Sequence, residues 1–262
     1  MTVYLHEMKR GLLSLIIWAA AISSMIFVCM LIYPEMSDNV SSVEQLYSSL
    51  GSFTKAFGMD KISFATLMGF YGIEAGNMIG IGAVLYAAIL GASMLSKEEH
   101  EHTAEFLMTH PISRKKLIAE KLFAAVSMLL ILNIIIYAVS LASFAVINEK
   151  PEMDVLAKYL TAQFVMQLEV MSICFAFSSF GKRGSTGIGI GFAALMYFLS
   201  IIMNISDKAD FLKYITPYKY ADAADIISKN TIDGKLMCLG GAYTLTALCI
   251  AYFKYRKKDI AA

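Results

Sequence analysis

Residues 12–33 read LLSLIIWAAAISSMIFVCMLIY, a run of 22 residues without one charged side chain. An α-helix rises about 1.5 Å per residue, so a run this long crosses a hydrocarbon layer about 30 Å thick while every backbone hydrogen bond stays inside the segment. It follows Lys9 and Arg10 and outruns the apolar stretch of a secretory signal, about 7–15 residues, so it reads as a retained first span. Five further runs qualify: 72–95, 122–147, 159–180, 186–205 and 236–253. Continuous runs of this length, not short alternating ones, argue against a β-barrel. The reading is an all-α polytopic membrane protein, a single transmembrane domain over residues 1–262 with six spans.

Composition points the same way. The chain is 58% hydrophobic and 16% charged, against about 25% charged in a soluble domain, so lipid is its main solvent. A net charge of +1 without a clustered basic surface excludes nucleic acid as a partner. Cys29, Cys174, Cys238 and Cys249 sit in or beside apolar runs with no zinc-type spacing and read as small core residues.

Direction follows from Lys and Arg, which accumulate in cytoplasmic segments. One set of alternate segments carries Lys9, Arg10, Lys97, Arg114, Lys115, Lys116, Lys121, Lys182, Arg183, Lys254, Arg256, Lys257 and Lys258 with seven acids; the other carries nine Lys, no Arg and twelve acids. The first side is read as cytoplasm, with both termini on it. On the other side, SSVEQLYSSLGSFTKAFG (41–58) repeats Val43, Leu46, Tyr47, Leu50 and Phe53 at helical spacing, which predicts an amphipathic helix on the outer surface.

The cytoplasmic segment between the second and third spans reads SKEEHEHTAEFLMTHPISRKKLIAEK (96–121). Its acidic start runs into Ala104, Phe106, Leu107 and Met108, breaks at Pro111, and resumes where Ser113 can cap a helix entering the third span. An apolar helix at that surface needs a cover, headgroups or a partner protein; a re-entrant loop packed on the chain's own spans is the other reading.

Glu98, Glu99, Thr103, Glu105, Phe106, Leu107, Pro111, Ser113, Arg114 and Lys121 resemble the cytoplasmic signature of type-2 ATP-binding-cassette (ABC) export permeases: an acidic stretch, a Thr-x-Glu-x-Leu-like helix, then Pro-x-Ser-Arg and a basic helix start. The family's Gly before the Thr is His102 here. TPYKYADAADII (216–227) is similar to the family's element before the last span. The resemblance implies a membrane-spanning exporter subunit of the plasma membrane with the 98–109 stretch as coupling helix. It also implies a cytoplasmic ABC ATPase subunit as partner, holding ATP and Mg, and a second permease subunit, identical or related. This chain would itself bind no cofactor and catalyse no reaction. Peptides or antibiotics, lipid-like molecules and ions all remain open as cargo.

Competing chemistries find little support. In FGKRGST (180–186) the P-loop's first glycine would be Ala176 and its hydroxyl Arg183, so a tight hairpin fits better. His100 and His102 lie about 200° apart on a helix, poor for a shared metal. No Gly-x-Ser-x-Gly setting with a nearby His occurs within a span.

Glu169 falls near the middle of the fourth span, where an ionisable group costs about 2.5–3.5 kcal/mol unless it meets water or a partner. With Gln163 and Gln167 it makes this helix polar. It either lines a pathway, as a stand-alone ion-coupled transporter or channel would require, or packs as a hydrogen-bonded group. Gly72, Gly76 and Gly80 in the second span, and Gly187 and Gly191 in the fifth, predict close helix packing.

Overall fold

The computed structural model describes residues 2–38, 51–101, 103, 113–181 and 185–258. Their helices are α1 (Thr2–Asp38), α2 (Ser52–Ala56), α3 (Leu67–Met94), α4 (Lys97–His100), α5 (Arg114–Val146), α6 (Met153–Phe180), α7 (Thr186–Ile205), α8 (Ala223–Lys229) and α9 (Gly234–Lys257), with a 3-10 turn over Asp207–Tyr214 and no strand among the described residues. The six long ones, α1, α3, α5, α6, α7 and α9, are apolar and long enough to cross a membrane, and each apolar run of the sequence lies within one of them to within a residue. Two begin well before their apolar stretch. α1, at 37 residues, is about 55 Å long, and α5 starts where the Ser113 hydroxyl accepts from the Lys116 amide at 3.3 Å. The predicted surface-helix residues Val43, Leu46, Tyr47 and Leu50 lie outside the described residues, and Phe53 belongs to α2.

In α3 and α6, 67% and 61% of the most apolar window is buried, against 22–33% in the other four. These two therefore form the middle of the bundle. α1, α5, α7 and α9 pack around them and leave Leu13, Ile17, Phe123, Phe198 and Leu245 exposed on outward faces, where lipid is their natural solvent. The central contact is backbone on backbone: a Cβ added at Gly91 of α3 would lie 2.2 Å from the Met171 carbonyl of α6. Lipid tails offer no hydrophobic drive between spans, so such close van der Waals approach is what binds them. Hydrogen bonds add to it, Tyr71 to Ser140 at 2.7 Å and Asn133 to Gln167 at 2.7 Å.

The small residues divide by end. Gly72 faces Ile227 and Ala223, Gly76 the Tyr159 hydroxyl, and Gly80 the Tyr218 ring. That half of the seam thus also receives the 216–227 segment, while Gly91 meets a span. In α7 the contact within the chain falls on a different glycine. Gly187 and Gly191 are exposed, and a Cβ added at either meets nothing within 4 Å among the described residues, whereas Gly189, about 200° round the helix, is packed on Ala88 and Ala92.

The start of α1 and the end of α9 lie at one end of the bundle. The Val3 and Tyr4 amides donate to Glu120 at 3.0 and 3.1 Å, and the Arg114 guanidinium donates to the carbonyls of Arg256 and Lys258 at 3.1 and 2.7 Å. At the distal end the segment from Thr216 dips into the bundle. Thr216 donates to the Met196 carbonyl at 3.1 Å, Tyr218 to the Gly80 carbonyl at 2.9 Å, and Tyr220 to Glu169 at 2.7 Å. α8 then starts on Asp222, which accepts from the Ala224 amide, and stops at Asn230 in the left-handed region, φ 50°. Burial disfavours the Asp225 carboxylate, but hydrogen bonds from Lys219 and Lys229 outweigh it and hold its pKa at about 2.

Gly91→Val should lower the thermal stability of the purified protein sharply, by about 1–3 kcal/mol or more as an overpacked contact, while Gly191→Ala leaves the melting temperature in place. The Asp225 pairing is fully formed above the ordinary carboxylate pKa of about 3.9 and is lost as pH falls toward about 2. Melting temperatures should therefore drop more over that interval in the native chain than in Asp225→Asn.

Candidate functional site

At the terminal end, the segment that leaves α3 opens with α4, a single helical turn carrying Glu98 and Glu99 and followed by Glu101. Successive side chains on such a turn point about 100° apart, so the acids fan out to different neighbours. Lys121 of α5, with no exposed surface, donates to the Met94 carbonyl at 2.6 Å and to Glu98, and lies 3.1 Å from the Glu7 carboxylate of α1. Lys97 donates to the same Glu7. Glu99 is buried and ion-paired at 2.7 Å with Lys258, whose ammonium also donates to the Gly181 carbonyl at 2.5 Å. Arg10 pairs with Glu101 at the rim.

The electrostatics explain the arrangement. Burial and the neighbouring Lys121 push the Lys97 ammonium below its usual range while Glu7 resists, and the hydrogen bond from Arg10 holds the Glu101 carboxyl down. Unpaired, these buried charges would be prohibitive; paired, they tie α1, α5 and the end of α9 to one turn of chain.

Of the residues singled out in this segment, Glu98 and Glu99 thus face the chain's own bundle. Thr103 is exposed, its amide donating to the Glu98 carbonyl at 2.9 Å. Ser113 caps α5 and Arg114 holds the C-terminal backbone. Glu105, Phe106, Leu107 and Pro111 lie outside the described residues. Sequence reasoning missed Glu7, Lys97 and Lys258 as members of the cluster. The signal was slight: Glu7 is the one acid among the first ten residues, and Lys258 is one cation in a basic tail.

The model of the ABC-2 family transporter protein matches residues 1–260. The chain belongs to the ABC-2 transporter family. No curated protein matches it. As an ABC-2 membrane protein it is a permease, a multi-pass subunit of the plasma membrane, in a family that generally works with a cytoplasmic ATPase.

In the permease, the three polar residues of α6 do not converge on one lining. Gln163 donates to the Tyr159 hydroxyl at 3.0 Å and to the Ala221 carbonyl at 3.1 Å. Gln167 exchanges hydrogen bonds with Asn133 of α5. Glu169, buried, accepts from Tyr220 beside Gly240, where a Cβ would come within 2.3 Å of the carboxylate. A glycine in α9 thus makes the space that the Glu169–Tyr220 pair occupies.

Lys121→Met should destabilise the permease by about 3–5 kcal/mol, because Glu7 and Glu98 would be left charged without their shared cation. Adding Glu7→Gln to the same chain should recover part of the loss in a detergent melting assay.

Proposed function

We propose that the permease is the membrane subunit of an ABC exporter, with its terminal end in the cytoplasm and the 98–109 stretch as the coupling element for a separate ATPase. The positive charge collected at that end supports the direction. The observation that carries the reading is the buried ionic cluster beneath α4. A lever transmits motion only if its base is rigidly joined to what must move, and here Glu98, Glu99 and Glu101 join the base to α5, the end of α9 and α1.

In this scheme Glu98 and Glu99 anchor, while Glu105, Phe106 and Leu107, named by the resemblance, contact the ATPase. ATP and Mg bind in the partner, whose closure pulls on the lever; its different affinity for the two lever positions supplies the coupling free energy. Two permease subunits, identical or related, enclose the route outward. The stand-alone ion-coupled alternative would use Glu169 as its coupling group, and that carboxylate is buried and hydrogen-bonded to Tyr220 of the inserted segment.

Co-isolation from native membranes tests the proposal. A P-loop ATPase should accompany the tagged permease and be lost with Phe106→Arg, whereas Glu99→Gln should retain the ATPase but weaken the response of its ATP hydrolysis to the permease. Recovery of the permease with no ATPase under any condition would sink the scheme.

A further inference from the structure

A second site lies at the distal end, away from the ionic cluster. A cavity of about 70 Å³, partly open, is lined by α3, α6, α7 and the segment leading into α8, with Asn77, Gln163, Asn204 and Asp222 among its lining. Its polar groups are unevenly used. Asn77 spends its amide nitrogen on the Ile73 carbonyl at 2.6 Å, and Asn204 on the Ala56 carbonyl at 3.2 Å. Gln163 is 3% exposed. The Ala221 carbonyl it bonds can only accept, so its nitrogen must point there and its oxygen elsewhere. That oxygen is fully buried, and no donor reaches it among the described residues.

The lining is therefore rich in acceptors. Gln163 gives its two N–H groups to the Tyr159 hydroxyl and the Ala221 carbonyl, and Asn77 and Asn204 each give one to a protein carbonyl, so the buried Gln163 oxygen and the Asp222 carboxylate stand out as acceptors. Asp222 caps α8 through the Ala224 amide, but burial still raises its pKa, with Lys219 and Lys61 offsetting that only in part and Asp225 adding to it. Tyr159, Tyr197 and Tyr218 complete the wall, and their aromatic rings are of the kind that attract a cation. Such a site suits a ligand that brings several N–H donors and one positive charge in a small volume.

We propose that this cavity binds a primary ammonium group, presented either by a free small amine or by an aminophospholipid headgroup. Its level fits both sources, since it lies near the distal ends of α3, α6 and α7, where headgroups and solvent meet the bundle. The proposal stands apart from the ATPase scheme and from the direction of transport.

The test is ligand-dependent melting of the purified permease in phosphatidylcholine nanodiscs. 2-Aminoethanol should raise the melting temperature saturably, and 1,2-ethanediol, its uncharged counterpart, should not. Asp222→Asn keeps a helix-capping side chain but removes the charge, and Asn77→Leu removes an acceptor; each should weaken the response about tenfold, near 1.4 kcal/mol. If nanodiscs of phosphatidylethanolamine stabilise the native chain but not Asp222→Asn, while free 2-aminoethanol does nothing, the source is the lipid headgroup and the proposal stands. No response to either amine source, an equal response to 1,2-ethanediol, or native-strength responses in both folded variants would overturn it.

Discussion

Lys121 places its amino group where no solvent reaches, and a polar group so placed is tolerable only with oxygen on its donors. It takes the Met94 carbonyl, Glu98 and Glu7, and these come from the end of α3, from α4 and from α1. The requirement to satisfy one buried cation thus gathers three separate pieces of chain, and Lys97 and Lys258 extend the cluster through Glu7 and Glu99. A cluster of this kind is weak evidence for net stability, because desolvation consumes much of the attraction. It is better understood as fixing geometry: the acids of one helical turn each pair with a cation from a different element, which holds the direction in which the chain leaves α3.

The rest of the bundle is organised by a different constraint, the absence of a hydrophobic drive between helices in lipid. Contact must come from fit, and α3 supplies it with small residues. Where Gly91 meets the Met171 carbonyl the backbones touch. Toward the distal end the same stripe leaves room between spans, and the 216–227 segment fills it with Tyr218, Ala223 and Ile227. That inserted segment satisfies Glu169 and one side of Gln163, and leaves the acceptor-lined cavity beside it.

Both regions separate anchoring from contact. Glu98 and Glu99, which look like docking residues in the sequence, face inward, and of the intramembrane polar residues that look like one pathway, Gln163 and Glu169 hold the inserted segment while Gln167 holds α5. In each case the residue type was legible and its direction was not. A run such as Glu98-Glu99-His100-Glu101 reads as a solvated face until the cations that neutralise it are located, and they come from residues 10, 121 and 258.

What the sequence determined by itself is local and one-dimensional: the six spans, because crossing lipid demands a certain length of apolar helix; the common end of the termini, because six crossings are even; the capped start of α5 at Ser113; and the family, through the 98–121 and 216–227 patterns. Only the tertiary structure decided which spans are central, that Gly189 and not Gly187 or Gly191 is packed, that Glu7 and Lys258 belong with Glu98 and Glu99, and that Tyr220 answers Glu169. The physical reason is range. Helix length and capping depend on neighbours within a turn or two, whereas packing and the pairing of buried charges depend on residues far apart in the chain, which no spacing records.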